Sequence, residues 1–175
     1  SGFGFGFDPT TALREIAIAH QVAPYYLNQG YPVEAIVVAK GTYTGFQDTL
    51  GIPILGACAA ETIVDNNHEV TDFTLFSQTD SSFVQNMTFV GEGNAVDDNN
   101  GLMVSDAHVT FKNVVLEGIP IYTATFDTDS AGLALDHVIV RNLTDSSLGA
   151  IMGTGSSTLD LSSVVVENIT LSNSI

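Results

Sequence analysis

Twenty of the 175 residues are acidic, so the first chemistry to consider is capture of a hard cation by oxygen ligands. Asp97-Asp98-Asn99-Asn100-Gly101 sets two carboxylates side by side, with Glu92 shortly before them. Such a loop would offer Ca2+ the oxygens it prefers. Its spacing departs from that of a calcium loop, and Asp, Asn and Gly in a cluster are ordinary turn formers. Glu92, Asp97 and Asp98 are therefore metal candidates on a segment that reads first as a turn, and no cofactor is expected. Asp127 and Asp129, in the loop 119–130, read the same way. Cys58 is the single cysteine, so no intrachain disulfide and no cysteine-based metal site can form. It lies in Gly56-Ala57-Cys58-Ala59-Ala60 and reads as a small buried hydrophobe. His68 has no identifiable partner, and His20 reads as a helix-end residue.

Against the acids stand only Arg14, Lys40, Lys112 and Arg141, for a net charge of −16. Binding phosphate takes clustered cations, which argues against nucleic acid and anionic membranes as partners. Cations and neutral glycans stay compatible with the charge, as do plain solubility and adaptation to salty water. No run reaches the roughly 18 apolar residues of a membrane helix. No signal peptide is visible. Ser1 reads as the start of a mature chain, and the Lys-poor, Ser/Thr/Asn-rich composition leans towards a secreted or cell-surface protein.

Apolar residues make up 45% of the chain, enough for one domain with a sizeable core. Residues 1–7 alternate Gly with Phe3, Phe5 and Phe7, which puts three rings on one face of a strand and nothing on the other. Glycine raises the cost of ordering such an arm, so it needs a groove or a partner edge. Residues 8–30 read as a capping helix and linker. Asp8 is the cap, Pro9 the first helical residue, and Leu13, Ile16, Ala17 and His20 the helical stripe. Pro24 and Gly30-Tyr31-Pro32 are expected to end it. From Val33 the period changes to two, and residues 31–175 read as the parallel β-helix. Residues 35–39 read as a buried strand, 41–45 as a turn, and 52–56 and 62–64 as further strands.

An internal repeat occupies the second half. Four segments align on Asn86, Asn113, Asn142 and Asn168, at spacings of 27, 29 and 26 residues. Each has an apolar residue two before Asn (Val84, Phe111, Val140, Val166) and another just after it (Met87, Val114, Leu143, Ile169). Strict alternation would turn the residue after Asn outward. It is apolar every time, so the alternation slips at Asn, which marks a bend. Asn tolerates the left-handed backbone such a bend needs, and stacked at ~4.8 Å its amide can bond to the Asn of the next coil. The four are expected to form one inward ladder, which would also consume the amides of the Asn-x-Thr sequons at Asn86, Asn142 and Asn168. A strand is expected before each (Phe73/Leu75, Leu102/Val104, Leu133/Leu135, Leu159/Leu161) and another after it, as in Val114-Val115-Leu116. Three short strands in a coil of 26–29 residues make a parallel β-helix.

On these residues the chain resembles the pectin-lyase-like superfamily of right-handed parallel β-helices, as found in secreted bacterial repeat proteins. Residues 35–44 resemble the family's strand and Gly-x-Tyr turn, residues 54–64 its next coil, and the four asparagines its ladder. The fold class implied is all-β, with an N-terminal helix plugging the core. The resemblance also implies where chemistry would sit, on the outward face of the strand before the Asn-bearing strand. Thr74, Met103, Ala134 and Asp160 occupy that face. They supply neither the two carboxylates of a hydrolase nor the base and cation of a lyase. Asp136, His137 and Arg141 are similar to the Asp-His pairs of pectate-processing members. Asp106 and His108 hold the comparable place one coil earlier, so repetition favours a structural corner and no catalytic residue is assigned.

Three residues before each Asn lie Phe83, Thr110, Ile139 and Val165, which stacked would form an apolar stripe fit for an interface. No amphipathic cap is apparent after the last coil. The function expected is a non-catalytic extracellular structural subunit that self-associates, end to end into a fibre through the Phe3/Phe5/Phe7 arm and the last coil. The alternative is a polysaccharide lyase or hydrolase, or a glycan-binding module, using the loops 92–101 and 119–130.

Overall fold

The computed structural model describes residues 15–66, 74–77, 81–91, 102–124, 131–144, 150–153 and 155–170. The arm Phe3/Phe5/Phe7, the expected cap Asp8-Pro9, and Leu13, His68, Glu92, Asp97, Asp98, Asp127 and Asp129 lie outside them.

Helix α1 spans Ile16–Asn28, and Glu15 before it is extended. Ile16, His20 and Ala23 recur at helical spacing and are buried, the face that α1 lays on the solenoid. Pro24 lies inside the helix rather than ending it. It lacks the N–H that would reach the His20 carbonyl, and its ring crowds that carbonyl. The stop comes at Gln29, followed by Gly30 at φ 81°.

The rest winds as a parallel β-solenoid. The first coil has β1 (Ile36–Val38), β2 (Gly41–Thr44) and β3 (Gln47–Asp48). The expected turn at residues 41–45 is thus mostly strand, because Gly41–Thr44 finds a ladder partner in Thr62–Asp65. The next coils are β4 (Ile54–Gly56), β5 (Thr62–Asp65) and β6 (Thr74–Ser77), then β7 (Ser82–Gln85), β8 (Thr88–Val90) and β9 (Leu102–Ser105). After these, β10 (His108–Glu117) and β12 (Gly132–Arg141) each run through a bend and cover two faces, and β11 (Ile121–Ala124) and β13 (Ile151–Gly153) form the third. β14 (Thr158–Ser162) and β15 (Val165–Glu167) are the last described strands. Every strand pairing is parallel.

Register makes each inward position a column. On the first face it runs Ile36, Ile54, Val84, Phe111, Leu135, Leu161. On the second it runs Tyr43, Val64, Phe89, Leu116, Val140, Val166. Phe46, Phe76, Phe111 and Phe89 meet edge to face through the middle, and His20 of α1 stacks on Phe46 at the N-terminal end. Fully burying each such side chain contributes about 1.5–3 kcal/mol, so the columns carry the stability.

The repeat is real, but its phase differs from the alignment on asparagine. Thr110 pairs with Phe83 and Ala134, so Leu133 and Leu135 stack on Val109 and Phe111, not on Leu102 and Val104. Leu102 and Val104 belong to the third face, beside Thr74 and Phe76. Phe76 is wholly buried there. The physical cause lies in the corners.

Candidate functional site

Two corners take left-handed backbone in the later coils. At the first, between the first and second faces, stand Asn86, Asn113, His137 and Ser163, with φ of 59, 51, 55 and 55°. At the second stand Gly118, Asn142 and Asn168, with φ of 63, 57 and 54°. The expected single ladder is therefore two short ones. Asn113 Nδ2 donates to Asn86 Oδ1 at 3.3 Å, and Asn168 Nδ2 donates to Asn142 Oδ1 at 3.2 Å. Nor do the amides point inward: Asn113, Asn142 and Asn168 are exposed, because a left-handed residue turns its side chain out of the bend. Both corners are flanked by apolar strand residues, so the sequence pattern around Asn is the same at either.

The apolar stripe divides for the same reason. Phe83 lies beside Thr110 on the first face, whereas Ile139 and Val165 continue from Val115 on the second. The expected catalytic face divides too. Ala134 and Asp160 are neighbours on the first face, and Met103 sits between Leu75 and Tyr122 on the third.

Asp136 and His137 are in contact, and Arg141 is not brought to them. Asp136 ends the first face, His137 is the corner, and Arg141 lies at the far end of the second face. Asp136 takes the His137 ring Nδ1 on one oxygen and Lys112 Nζ at 3.5 Å on the other. The His137 contact, with Lys112 behind it, outweighs desolvation and lowers the Asp136 pKa. Arg141 forks onto Glu117, with Nε and Nη2 donating to Oε2 at 3.3 and 2.9 Å. That hydrogen bond, opposed by desolvation and aided by Asn142, holds the Glu117 carboxyl below its usual range. The Lys112–Asp136 and Arg141–Glu117 pairs tie adjacent coils on the outside of the sheet, where such bridges are worth little. Among the described residues no three His, Cys, Asp or Glu side chains are placed to hold a metal ion. No described helix is long and apolar enough to cross a membrane.

The surface least explained by the solenoid itself is its last described coil. Leu159, Leu161 and Val166 sit in register on Leu133, Leu135 and Val140, in inward columns. They are 45, 50 and 53% exposed, while the residues they stack on are at most 2% exposed. Val165 beside them is equally open. Among the described residues β14 and β15 pair only with β12. At the other end α1 packs on β1, β2 and β3. The sequence pattern marked Leu159 and Leu161 as core. Their exposure depends on which strand is outermost, which periodicity does not encode.

Compared with protein-family models, curated proteins and solved structures, the chain matches none of them.

Proposed function

We propose that this chain is a non-catalytic, extracellular structural subunit, a pectin-lyase-like β-helix that self-associates through its last coil. The observation that carries the reading is the half-exposure of Leu159, Leu161 and Val166 in columns that are otherwise sealed. Among the described residues β14 and β15 pair to one side only, which leaves strand edge beside an apolar surface, the combination that recruits another strand. A second copy supplies it. The Phe3/Phe5/Phe7 arm suits the role, since alternate rings would fill the open columns while glycine lets the backbones approach. Because the N-terminal end is sealed by α1, such an arm is the element able to link copies end to end into a fibre. The separation of Arg141, which pairs with Glu117, from the Asp136–His137 contact supports the non-catalytic part of the reading.

Light scattering and electron microscopy of the intact chain test this. Leu161→Glu with Val166→Glu is expected to abolish assembly, and deletion of residues 1–7 to abolish fibres. Assembly unchanged by either would contradict the corresponding contact. Turnover of an acidic polysaccharide, lost in Asp136→Ala or Asp97→Ala, would establish the enzymatic alternative instead.

A further inference from the structure

Three of the four aligned asparagines open an Asn-x-Thr triplet, the acceptor motif for an N-linked sugar: Asn86-Met87-Thr88, Asn142-Leu143-Thr144 and Asn168-Ile169-Thr170. An inward ladder would have consumed their amides. The left-handed corners instead turn Asn142 and Asn168 outward, at φ of 57 and 54°, and both are exposed. A side-chain amide carries two N–H groups. The ladder bond uses one and an attached sugar replaces one, so a corner Asn can keep its stacking bond and still carry a glycan.

The three triplets are not equivalent. Thr88 is buried, and its hydroxyl donates to the Ala59 carbonyl at 2.6 Å. Asn86 is half-buried in a middle coil, and its Oδ1 accepts from Asn113 of the next. Asn142 is held from both neighbouring coils. Its Nδ2 donates to Glu117 Oε1 at 3.1 Å, and its Oδ1 accepts from Asn168. Coils stack at about 4.8 Å, so a sugar on Asn142 would have to pass between the Glu117–Arg141 pair and Asn168. Asn168 stands in the last described coil. Among the described residues its side chain makes one hydrogen bond, from Nδ2 to Asn142 Oδ1 at 3.2 Å. Thr170 is exposed as well, and its backbone N–H is tied to the Leu143 carbonyl at 2.9 Å. Both ends of this triplet are therefore surface groups on a fixed backbone. A sugar attached before folding must still fit after it, so the folded geometry selects among the triplets in either order of events.

We propose that Asn168, alone of the three, is an N-glycosylation acceptor. In the transfer, Nδ2 bonds to the anomeric carbon of the sugar as the bond from that carbon to a lipid diphosphate breaks. The diphosphate leaves with the bonding electron pair, and one amide proton passes to a base. The donor is a lipid-linked oligosaccharide. The inference rests on the extracellular placement proposed above, since the secretory route is where chain and donor meet, and it does not rest on self-association. The remaining N–H keeps the bond to Asn142, which leans the side chain back towards the preceding coil. A bulky, hydrated sugar there lies along the side of the solenoid and leaves the contact through the last coil free.

The intact chain from its source cells tests this, with cells and medium collected separately. Peptide N-glycosidase releases N-linked sugar and leaves Asp in place of the Asn that carried it. Treatment is expected to shift the secreted chain to a single lower mass, and peptide masses are expected to show conversion at Asn168, with Asn86 and Asn142 unconverted. Thr170→Val, which keeps the Asn168 amide, is expected to lose the shift entirely. A chain in the medium that shows no shift overturns the site and leaves the extracellular reading standing. A chain confined to the cells and unmodified overturns both. Sugar on Asn86 or Asn142 overturns the selection of Asn168. If Thr170→Val is not recovered, the peptide masses of the wild type decide alone.

Discussion

A Cβ built on Gly56 would lie 2.2 Å from the backbone carbonyl oxygen of Asn86, in the corner stacked on it. Backbone cannot move aside as a side chain can. Gly56→Ala is therefore expected to cost about 1–3 kcal/mol or more, read as a lower urea midpoint with an unchanged slope. Asp48 sets a pH dependence. Burial raises its pKa, but hydrogen bonds from His20, Ser82 and the Leu50 amide together outweigh burial and hold it below the ordinary value. A carboxyl lowered on folding adds stability above its unfolded pKa, and that stability is lost as pH falls through the folded value. Wild-type stability is thus expected to fall below about pH 4 more steeply than that of Asp48→Asn, in urea titrations at successive pH values. None of this cluster was legible in the sequence. Ser82 lies 34 residues from Asp48, and nothing local in the three residue types ties them together. His20 read as a helix-end residue because its partner comes from another coil.

At the scale of the element, strands and bends were legible and the assignment of bends to corners was not. Period-two alternation identified the strands, and the slip after each Asn identified left-handed backbone, present at all four asparagines. Both corners place that same demand on one residue between apolar strands. Asn meets it at the first corner in two coils and at the second in two others, so alignment on Asn joined unlike faces. His137 and Ser163 took the first corner where Asn was expected, and neither residue type announces a bend. His137 holds φ 55° with a bulkier side chain than Asn. His137→Asn is expected to be neutral or to stabilise by up to about 1 kcal/mol in the same unfolding assay. A loss above that would mean the Asp136 contact, rather than the backbone, determines the residue at this corner.

Over the whole molecule the two ends differ in kind. A helix packs on one, with Ile16 and Ala23 buried and His20 on the aromatic stack, and Leu159, Leu161 and Val166 are half-exposed in the last described coil at the other. The net charge of −16 opposes contact between copies, so association is expected to strengthen as salt screens that repulsion within about 10 Å at 0.1 M. Hydrogen exchange as a function of protein concentration tests the contact most directly, at fixed pH and salt. Amides of residues 158–167 are expected to gain protection as concentration rises, while those of 16–28 stay constant. Protection of 158–167 that does not change with concentration would contradict self-association through the last coil.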